Sequence, residues 1–385
     1  MFKRFIWLLS LCIMNKDKRH IFRERCFKYK ANLERIDTLK EQLNVLSAKL
    51  CEHHSCLSQQ SRFIAKQGGV LFVDCKRSVL QTLIEEEKLG DEHKKNMFAL
   101  YRLLDEDAKI HLDEILERQM KCTHNNIISF DELYASGHDK KQWRDLQEFE
   151  QQIVPCCDYF SYKHYKLPVD SFQPEVFLYK HGLTRLKTFG SIGDRVIFDV
   201  GGFVADTILI MREFSNNDIY SFEPDPVNYN LALRTLELNK NILNKGGNVI
   251  LENIALGDSN GNAKIITPLY NGNYIAAASR LVGEDVASGA DVVVRTLDSY
   301  VTEHNLQIGL IKVDIEGYEQ RFLAGALETI KTQKPILLIS IYHNRNDFYQ
   351  IKPFIEELDL GYKFDFFQGV SRWIKNDIML LCEVY

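Results

Sequence analysis

Five short apolar runs that alternate with helical stretches constrain the fold of this chain more than any other feature. The runs are Val196–Val200, Ile219–Phe222, Val249–Ile254, Leu310–Val313 and Ile336–Ile341. Helices are predicted between them near residues 205–213, 227–239, 318–330 and 346–358. This alternation predicts an α/β fold, in which helices cover both faces of a parallel sheet. Ligands of such sheets bind beyond the carboxyl ends of the strands, so the residues that follow each strand are candidate functional residues.

The loop after the first strand predicts a bound nucleoside. It contains Asp199, the pair Gly201 and Gly202, and Asp206. Glycines allow the backbone to approach a nucleotide-like ligand closely. Neither G-x-G-x-x-G nor G-x-x-x-x-G-K-[ST] is present, and the loop has no lysine to neutralise a phosphate. A ligand with a ribose and no phosphate fits better, and S-adenosylmethionine is the common one of that kind.

The second and third strands end in residues that suit the rest of an adenosine. Glu223 follows the second strand, where a carboxylate can accept hydrogen bonds from both ribose hydroxyls. NAD enzymes use the same arrangement, so Glu223 does not choose between the two cofactors. An alternative is that Glu223 only begins a helix, since Pro224 and Pro226 favour a turn there. The third strand leads to Ala255, a small residue that suits a flat adenine ring.

Two titratable residues follow the fourth and fifth strands. Asp314 comes directly after Val313, and His343 comes two residues after Ile341. Because parallel strands present their carboxyl ends at one edge of the sheet, both side chains are expected above the same crevice. Such a pair is what general-base chemistry needs.

Six segments in this order resemble the FkbM family of S-adenosylmethionine-dependent methyltransferases. They read FDVGGFVADT, IYSFEPDPVNY, NIALGD, RTLDSY, IKVDIEGYE and KPILLISIYH, within residues 195–385. The resemblance implies a class I methyltransferase fold, a Rossmann-like and mostly parallel seven-stranded sheet closed by a terminal antiparallel strand. It also implies O-methylation of a hydroxyl, often on a sugar of a glycan or on a secondary metabolite.

The resemblance carries over to particular residues of this chain. Asp199, Gly201 and Gly202 match the family's cofactor loop, Glu223 its ribose-binding acid, and Asp314, Glu316 and Gly317 its D-I-E-G element. The family usually has a glycine where this chain has Ala205. A methyl group there is expected to crowd the methionine end of the cofactor or to displace the loop.

The residues of the predicted site can then be assigned roles. His343, with an ordinary pKa near 6.5, is the preferred general base, and Asp314 orients the acceptor hydroxyl or stabilises the positive sulfur. The two roles are interchangeable at this stage, and the alternative is that Asp314 only caps a helix while His343 is a loop residue. The residues predicted to bind cofactor are Asp199, Gly201, Gly202, Asp206, Glu223, Ala255 and Asp314. The residues predicted to contact substrate are Glu316, Arg372 and Trp373.

No resident metal is predicted. Asp314, Glu316, His343 and Asn344 offer oxygen and nitrogen ligands at the strand ends. Hard divalent cations prefer several carboxylates, and only two are evident in this set.

The catalytic domain is predicted over residues 191–385. The chain before it divides into three regions. Residues 1–30 contain nine Lys and Arg residues, two acidic residues and an apolar run, so they suit either contact with an anionic membrane surface or packing on the protein. Residues 31–60 form an amphipathic helix whose apolar spacing over 33–57 suits a homo-oligomeric coiled coil or packing within the domain. Residues 61–190 form a helical accessory region followed by an aromatic-rich linker, which lines a cleft or joins two domains.

Composition limits the location and the partners. The net charge of −5 disfavours a nucleic-acid partner, and the nine scattered cysteines are typical of a reducing compartment. We therefore expect a cytoplasmic enzyme, with peripheral contact at the inner face of the membrane through residues 1–30. Three functions are considered. The first is an O-methyltransferase acting on a glycan or glycolipid precursor, and the second is a methyltransferase-like scaffold or membrane-recruitment protein that has lost turnover. The third is an NAD-dependent oxidoreductase, which the missing third glycine of the loop disfavours.

Overall fold

The structure is a computed structural model of the 385-residue chain. It describes residues 72–74, 90–123, 127–129, 133–134, 137–266, 269–270, 273–274, 280–282, 289–371 and 377–385. The chain divides into two units, and the sheets and helices below belong to the second unit, residues 69–155 and 159–385. The predictions for residues 1–30, for the coiled coil over 33–57 and for Arg372 and Trp373 lie outside the described residues.

A seven-stranded sheet forms the centre of this unit. Its strands are β1 Val196–Val200, β2 Ile219–Phe222, β3 Val249–Glu252, β4 Ile308–Val313, β5 Ile336–Ser340, β6 Lys363–Phe367 and β7 Met379–Glu383. The order across the sheet is β6-β7-β5-β4-β1-β2-β3. All neighbours pair in parallel except β7, which is antiparallel to both β5 and β6. This is a class I methyltransferase sheet, with the terminal antiparallel strand that the resemblance implied.

The two faces of the sheet bury separate apolar clusters. Phe198 and Ile311 belong to one cluster, and their neighbours Ile197 and Leu310 belong to the other. Adjacent residues of a strand point to opposite faces, so a strand covered on both sides is apolar throughout. The continuous apolar runs of the sequence therefore have a physical reason, since all six residues of β4 are buried.

Eleven α-helices have their bounds within the described residues, in addition to two 3-10 helices, Lys180–Arg185 and Phe189–Ser191. The α-helices are α1 Asp91–Tyr101, α2 Glu106–Thr123, α3 Gly137–Gln151, α4 Pro174–Phe177, α5 Asp206–Phe214, α6 Pro226–Leu238, α7 Lys240–Leu243, α8 Leu297–His304, α9 Glu319–Ala324, α10 Leu327–Gln333 and α11 Arg345–Glu357. The single helix predicted near 318–330 is therefore two helices, α9 and α10. They part at Gly325, where a Cβ atom would lie 1.9 Å from the carbonyl oxygen of Gly257. None of the helices described is long and apolar enough to cross a membrane.

The helices that precede the sheet pack directly on it. Leu104 and Leu112, from the segment that contains α2, belong to the same apolar cluster as Phe198 of β1. Polar contacts reinforce this packing, because Asp365 of β6 lies 2.7 Å from His111 of α2 and 2.8 Å from Arg185. The accessory helices thus form part of the layer that covers the sheet.

The aromatic-rich linker also belongs to the core. Tyr162 contacts the rings of Phe149, Phe172 and Phe177 at centroid distances of 4.6 to 6.3 Å. These rings lie in the apolar cluster on the second face of the sheet. Between the two interpretations of the linker, the structure favours the one in which its aromatics join the accessory region to the catalytic sheet.

Several short strands lie outside the central sheet, and the sequence did not predict most of them. They are Phe72–Asp74, Ile127–Ser129, Val154–Pro155, Phe160–Tyr162, Tyr165–Leu167, Ala255–Leu256, Gly261–Ile266, Leu269–Tyr270, Asn273–Tyr274, Arg280–Val282 and Ala290–Arg295. Four of these strands, from the segment between β3 and β4, form a small sheet with its own apolar cluster. The first strand of this small sheet, Ala255–Leu256, follows the carboxyl end of β3 directly in the chain.

Candidate functional site

The loop between β1 and α5 lies against the ends of both neighbouring strands. The amides of Gly201 and Gly202 both donate to the carbonyl oxygen of Phe222, the last residue of β2. Gly201 has a φ of +86°, and a Cβ atom there would lie 1.8 Å from the carbonyl oxygen of Asp314. At Gly202 a Cβ atom would lie 2.2 Å from Oγ of Ser221. Both glycines are therefore required by close packing within the protein, Gly201 against a backbone carbonyl group and Gly202 against a serine side chain. Their predicted close approach to a bound ligand stays a prediction.

Ala205 occupies a left-handed backbone position in this loop. Its φ of +63° directly precedes α5, which explains why the family usually has a glycine there. The side chain is fully buried and belongs to the apolar cluster that also contains Ile208. The structure thus places the methyl group of Ala205 in the core, whereas the sequence led us to expect crowding of the methionine end.

Glu223 lies directly after β2 with its carboxylate close to the glycine loop. Its side chain accepts hydrogen bonds from the amides of Phe203, at 2.7 Å, and Asp225, at 2.9 Å. The residue is 5% exposed, and burial raises the pKa of its carboxyl group to about 8 although these amides lower it. Asp225, rather than Glu223, caps helix α6 by accepting from the amide of Val227. The residue that begins the helix is therefore Asp225, and this alternative interpretation does not apply to Glu223.

Asp206 begins α5 and has one carboxylate oxygen without a partner. Oδ1 accepts from the amide of Thr207 at 2.9 Å, while Oδ2 is buried and has no hydrogen-bond partner among the described residues. Burial raises the pKa of this carboxyl group to about 7. A buried acceptor of this kind beside the glycine loop suits a polar or cationic group of a ligand.

Asp199 and Ala255 do not lie as the sequence suggested. Asp199 is fully buried beneath the loop, where its carboxylate lies 3.1 Å from Nζ of Lys312 and accepts from Oγ of Ser221 at 3.1 Å. Ala255 is buried in the cluster of the small sheet. Its side chain therefore lies in a protein core, although its backbone follows β3 as expected.

His343 and Asp314 come together at the carboxyl edge of β4 and β5. Nε2 of His343 lies 3.4 Å from Oδ1 of Asp314 and 3.7 Å from Oε2 of Glu316. The hydroxyl of Tyr342 also donates to Oδ1 of Asp314, at 3.5 Å. The histidine side chain is 7% exposed. Glu316 reaches this position from a left-handed backbone conformation with a φ of +58°.

Glu319 is a functional candidate that sequence reasoning missed. It is fully buried at the start of α9, with Oε1 2.9 Å from Nδ1 of His343. The same oxygen accepts from the amide of Ile315 at 2.9 Å, which fixes the carboxylate. The available signal was its position in the D-I-E-G-Y-E segment, five residues after Asp314, where the next helix begins.

The charges around His343 change its protonation. Burial by itself lowers the pKa of the imidazole, but the carboxylates of Glu319, Asp314 and Glu316 outweigh burial and raise it to about 9. The pKa of Glu316 rises to about 7, mainly through burial. Burial and the adjacent Glu319 also raise the pKa of Asp347, on α11, to about 7. His343 is therefore an imidazolium at neutral pH, in contrast to the ordinary pKa assumed from the sequence.

A metal ion is compatible with part of this cluster. Asp314, Glu319 and His343 each offer a ligand atom, and these atoms lie within 4.8 Å of one another. Glu319 contacts Nδ1 while Asp314 and Glu316 face Nε2, so one ion cannot use both sides of the ring. The expectation that no metal is resident stays a prediction.

The residues around the glycine loop fit S-adenosylmethionine. Gly201 and Gly202 pack closely against Asp314 and Ser221, and Asp206 beside them keeps an unpartnered buried oxygen. Each oxygen of Glu223 accepts one backbone amide at less than 3.0 Å and retains capacity to accept from ribose hydroxyls. The loop presents no lysine or arginine of its own to a phosphate.

Comparisons with known proteins agree with this geometry. The model of the methyltransferase FkbM domain matches residues 198–364. A search of curated proteins finds no match. Among solved structures, methyltransferase FkbM from Methylobacillus flagellatus KT is 16% identical, with a TM-score of 0.49 over 80% of this chain and 62% of that chain. This chain thus spans less than two thirds of that protein.

Other solved structures are more distant. An rRNA methylase from Streptococcus thermophilus is 13% identical, with a TM-score of 0.33 over 56% of this chain and 99% of that chain. An O-methyltransferase from Bacillus cereus in complex with SAH is 13% identical, with a TM-score of 0.29 over 57% and 84%. The matched domain and the sheet order give one conclusion. Residues 198–364, less than half of the chain, match the methyltransferase FkbM domain, and this match supports the family that the sequence resembles.

Proposed function

We propose that this protein transfers a methyl group from S-adenosylmethionine to a hydroxyl oxygen of a glycan or glycolipid precursor, or of a secondary metabolite. The observation that carries the proposal is the pairing of His343 with Glu319 at the edge of the sheet, 2.9 Å apart. Family resemblance supports a sugar hydroxyl as the acceptor. S-adenosylmethionine, when bound, supplies a methyl group on a positively charged sulfur.

His343 acts as the general base. Glu319 holds Nδ1–H, which leaves Nε2 to accept the proton that the acceptor hydroxyl loses as its oxygen forms the new bond to the methyl carbon. The bond between that carbon and the sulfur would break in the same step, and S-adenosylhomocysteine would be the other product. Asp314, 3.4 Å from Nε2, orients that hydroxyl. A carboxylate that fixes the histidine tautomer and stabilises the imidazolium has the same role in hydrolytic triads.

The raised pKa of His343 predicts how the reaction depends on pH. With a pKa of about 9 in the protein without ligand, roughly 1% of the imidazole is neutral at pH 7. The base must be neutral to accept a proton, so activity is expected to rise with pH. Binding of a cation beside Asp314 lowers the pKa of the imidazole and increases the neutral fraction.

Location and partners follow from the same proposal. Residues 1–30 would bring a cytoplasmic enzyme to the inner face of the membrane, and residues 33–57 would mediate homo-oligomerisation. Comparison of the full chain with a chain lacking residues 1–60, by vesicle co-sedimentation and by mass in solution, tests both parts. Equal sedimentation and equal protomer number would contradict them.

Labelled S-adenosylmethionine tests the proposed activity. The protein is incubated with the labelled cofactor and with extracted polysaccharides, lipids and small metabolites, and the labelled product is examined for an O-methyl group. His343→Ala is expected to lower kcat by about 10²- to 10⁴-fold without changing cofactor affinity. His304→Ala, which removes a histidine stacked on Tyr300, serves as the matched control.

Two results would contradict the proposal. Label on nitrogen or carbon would exclude O-methylation, and an unchanged kcat in His343→Ala would exclude the assigned base. Cofactor binding in calorimetry without transfer to any fraction would favour a scaffold that has lost turnover.

A further inference from the structure

Lys312 is a buried cation beneath the glycine loop to which neither the sequence analysis nor the proposed catalysis assigns a role, although it lies within the segment IKVDIEGYE. It lies on β4, two residues before Asp314, and its side chain is 3% exposed. Nζ donates to the carbonyl oxygen of Gly201 at 2.9 Å and lies 3.1 Å from Oδ1 of Asp199. We propose that Lys312 is a positioning residue, whose ammonium holds the Gly201 carbonyl and thereby sets the loop that receives S-adenosylmethionine.

A buried lysine at this place needs an explanation other than stability. Desolvation of an ammonium costs several kcal/mol, and buried ion pairs often stabilise a protein no more than apolar side chains of similar volume would. Lys312 remains charged because the carboxylates of Asp199, Asp314 and Asp206 raise its pKa against the effect of burial. A pair of apolar side chains would fill the space of Lys312 and Asp199 equally well. Lys312 differs from an apolar side chain in that its ammonium donates hydrogen bonds.

The loop needs support of this kind because its backbone is strained. Phe203 and Ala205 have φ values of +46° and +63°, a left-handed conformation that is unfavourable for residues with a Cβ atom. Gly201 is held on one side by its amide, which donates to Phe222 of β2. Lys312 of β4 holds the carbonyl group of the same residue. The peptide groups on either side of Gly201 are therefore fixed to the two strands that flank β1.

The competing explanation is that Lys312 only neutralises Asp199. In that case the ion pair could be removed as a unit without any effect on the cofactor. A double variant that removes both charges of the pair separates the two explanations, since it leaves no unpaired charge on residue 199 but removes the donor to Gly201.

The experiment compares Lys312→Met with the double variant Lys312→Met, Asp199→Asn. A second buried pair of this chain provides the control, because Lys352 and Glu356 of α11 lie 2.6 Å apart and Lys352 donates to the carbonyl oxygen of Ala99 in α1 at 3.1 Å. The matching double variant is Lys352→Met, Glu356→Gln. Affinity for S-adenosylhomocysteine is measured by calorimetry, unfolding by thermal melting, and backbone mobility by hydrogen exchange in the protein without ligand.

We expect Lys312→Met to lower the melting temperature, because it leaves Asp199 buried and unpaired, and the double variant to recover most of that loss. The double variant should still bind S-adenosylhomocysteine at least about tenfold more weakly than the wild type, the effect of losing one charged hydrogen bond. Amides of residues 201–205 should exchange faster. The control pair should change the melting temperature alone.

Two outcomes would overturn the inference. The first is a double variant that binds S-adenosylhomocysteine as well as the wild type does, and the second is an equal loss of affinity in the control pair. The inference rests on the cofactor site of the proposed function, but its measurements involve no acceptor. Failure of methyl transfer with intact cofactor binding would therefore contradict the proposed catalysis and leave the role of Lys312 standing.

Discussion

The two halves of the crevice at the sheet edge differ in how their charged groups are matched. Around the glycine loop, Asp199 pairs with Lys312 and the oxygens of Glu223 accept backbone amides. Around His343, the carboxylates of Asp314, Glu316 and Glu319 all lie within 3.7 Å of one imidazole. In the first half, hydrogen bonds hold these carboxylates apart from one another, and of the carboxylates there only Asp206 keeps an oxygen without a hydrogen-bond or ion-pair partner among the described residues, whereas in the second half three carboxylates surround one imidazole.

This difference agrees with two kinds of task. A cofactor of constant shape is bound best by a preorganised site, in which few groups have to move or change charge. Proton transfer needs a group whose protonation state changes, so its neighbours have to tolerate both states. The pKa values of Glu316 and Asp347, each raised to about 7, show that protons are available around His343 near neutral pH. The variants below test this division.

The largest effect is expected for Gly201→Ala. A Cβ atom would lie 1.8 Å from the carbonyl oxygen of Asp314, so the loop must move. Affinity for S-adenosylhomocysteine should fall by about 100-fold or more, since both a strained φ and a backbone clash oppose the bound geometry. Gly190→Ala, at a glycine with no atom within 4 Å of the added Cβ, is the control for calorimetry. Similar affinities in the two variants would mean that the loop is not preorganised.

Glu223→Ala should have the next largest effect. Loss of a charged hydrogen bond of about 1.5–3 kcal/mol corresponds to roughly 10- to 150-fold weaker binding of S-adenosylmethionine. Asp225→Ala removes the cap of helix α6, and it should lower the free energy of unfolding by about 1 kcal/mol while cofactor affinity stays the same. An unchanged dissociation constant in Glu223→Ala would show that the ribose lies elsewhere.

Glu319→Gln tests the half of the crevice around His343, through the pH dependence of enzyme activity. In the wild type, kcat/KM should increase with pH and reach half its maximum near pH 9, because His343 of the free enzyme acts only when it is unprotonated. Removing the carboxylate charge at Nδ1 should move the half-maximal pH down by about one unit or more. Asp314 and Glu316 beyond β4, and Asp347 on α11, still face the ring and limit the shift.

Glu328→Gln, at an exposed residue 3.4 Å from Lys331, is the matched control for the pH profile. A half-maximal pH that is the same in Glu319→Gln and in the wild type would contradict the assignment of His343 as the base.

The smallest effect is expected for Ala205→Gly. Glycine removes a left-handed penalty of about 1–2 kcal/mol, but it also removes a buried methyl group and adds backbone entropy to the unfolded chain. The free energy of unfolding should therefore change by less than about 1 kcal/mol, measured by urea denaturation. Because Ala205 packs in the core, affinity for S-adenosylhomocysteine should change by less than about threefold. A tenfold gain in affinity would restore the idea that this methyl group crowds the cofactor.

Local patterns determined much of the fold. β1 and β2 begin and end where their apolar runs do, because buried parallel strands have to be apolar on both faces. The helix predicted near 318–330 was wrong in one respect, since the break at Gly325 depends on contact with Gly257, which is distant in sequence. The small sheet between β3 and β4 was missed because its pairing is also nonlocal.

The sequence by itself determined the order of the strands that carry chemistry, and thus that Asp314 and His343 emerge at one edge. Only the tertiary structure decided the charge state of His343, because the pKa of its imidazole depends on carboxylates from α9 and from the turn after β4. It also revealed Lys312, which reads in the sequence as one residue of an apolar strand. Electrostatic energy depends on distance and burial, and neither is encoded in the local pattern of a chain.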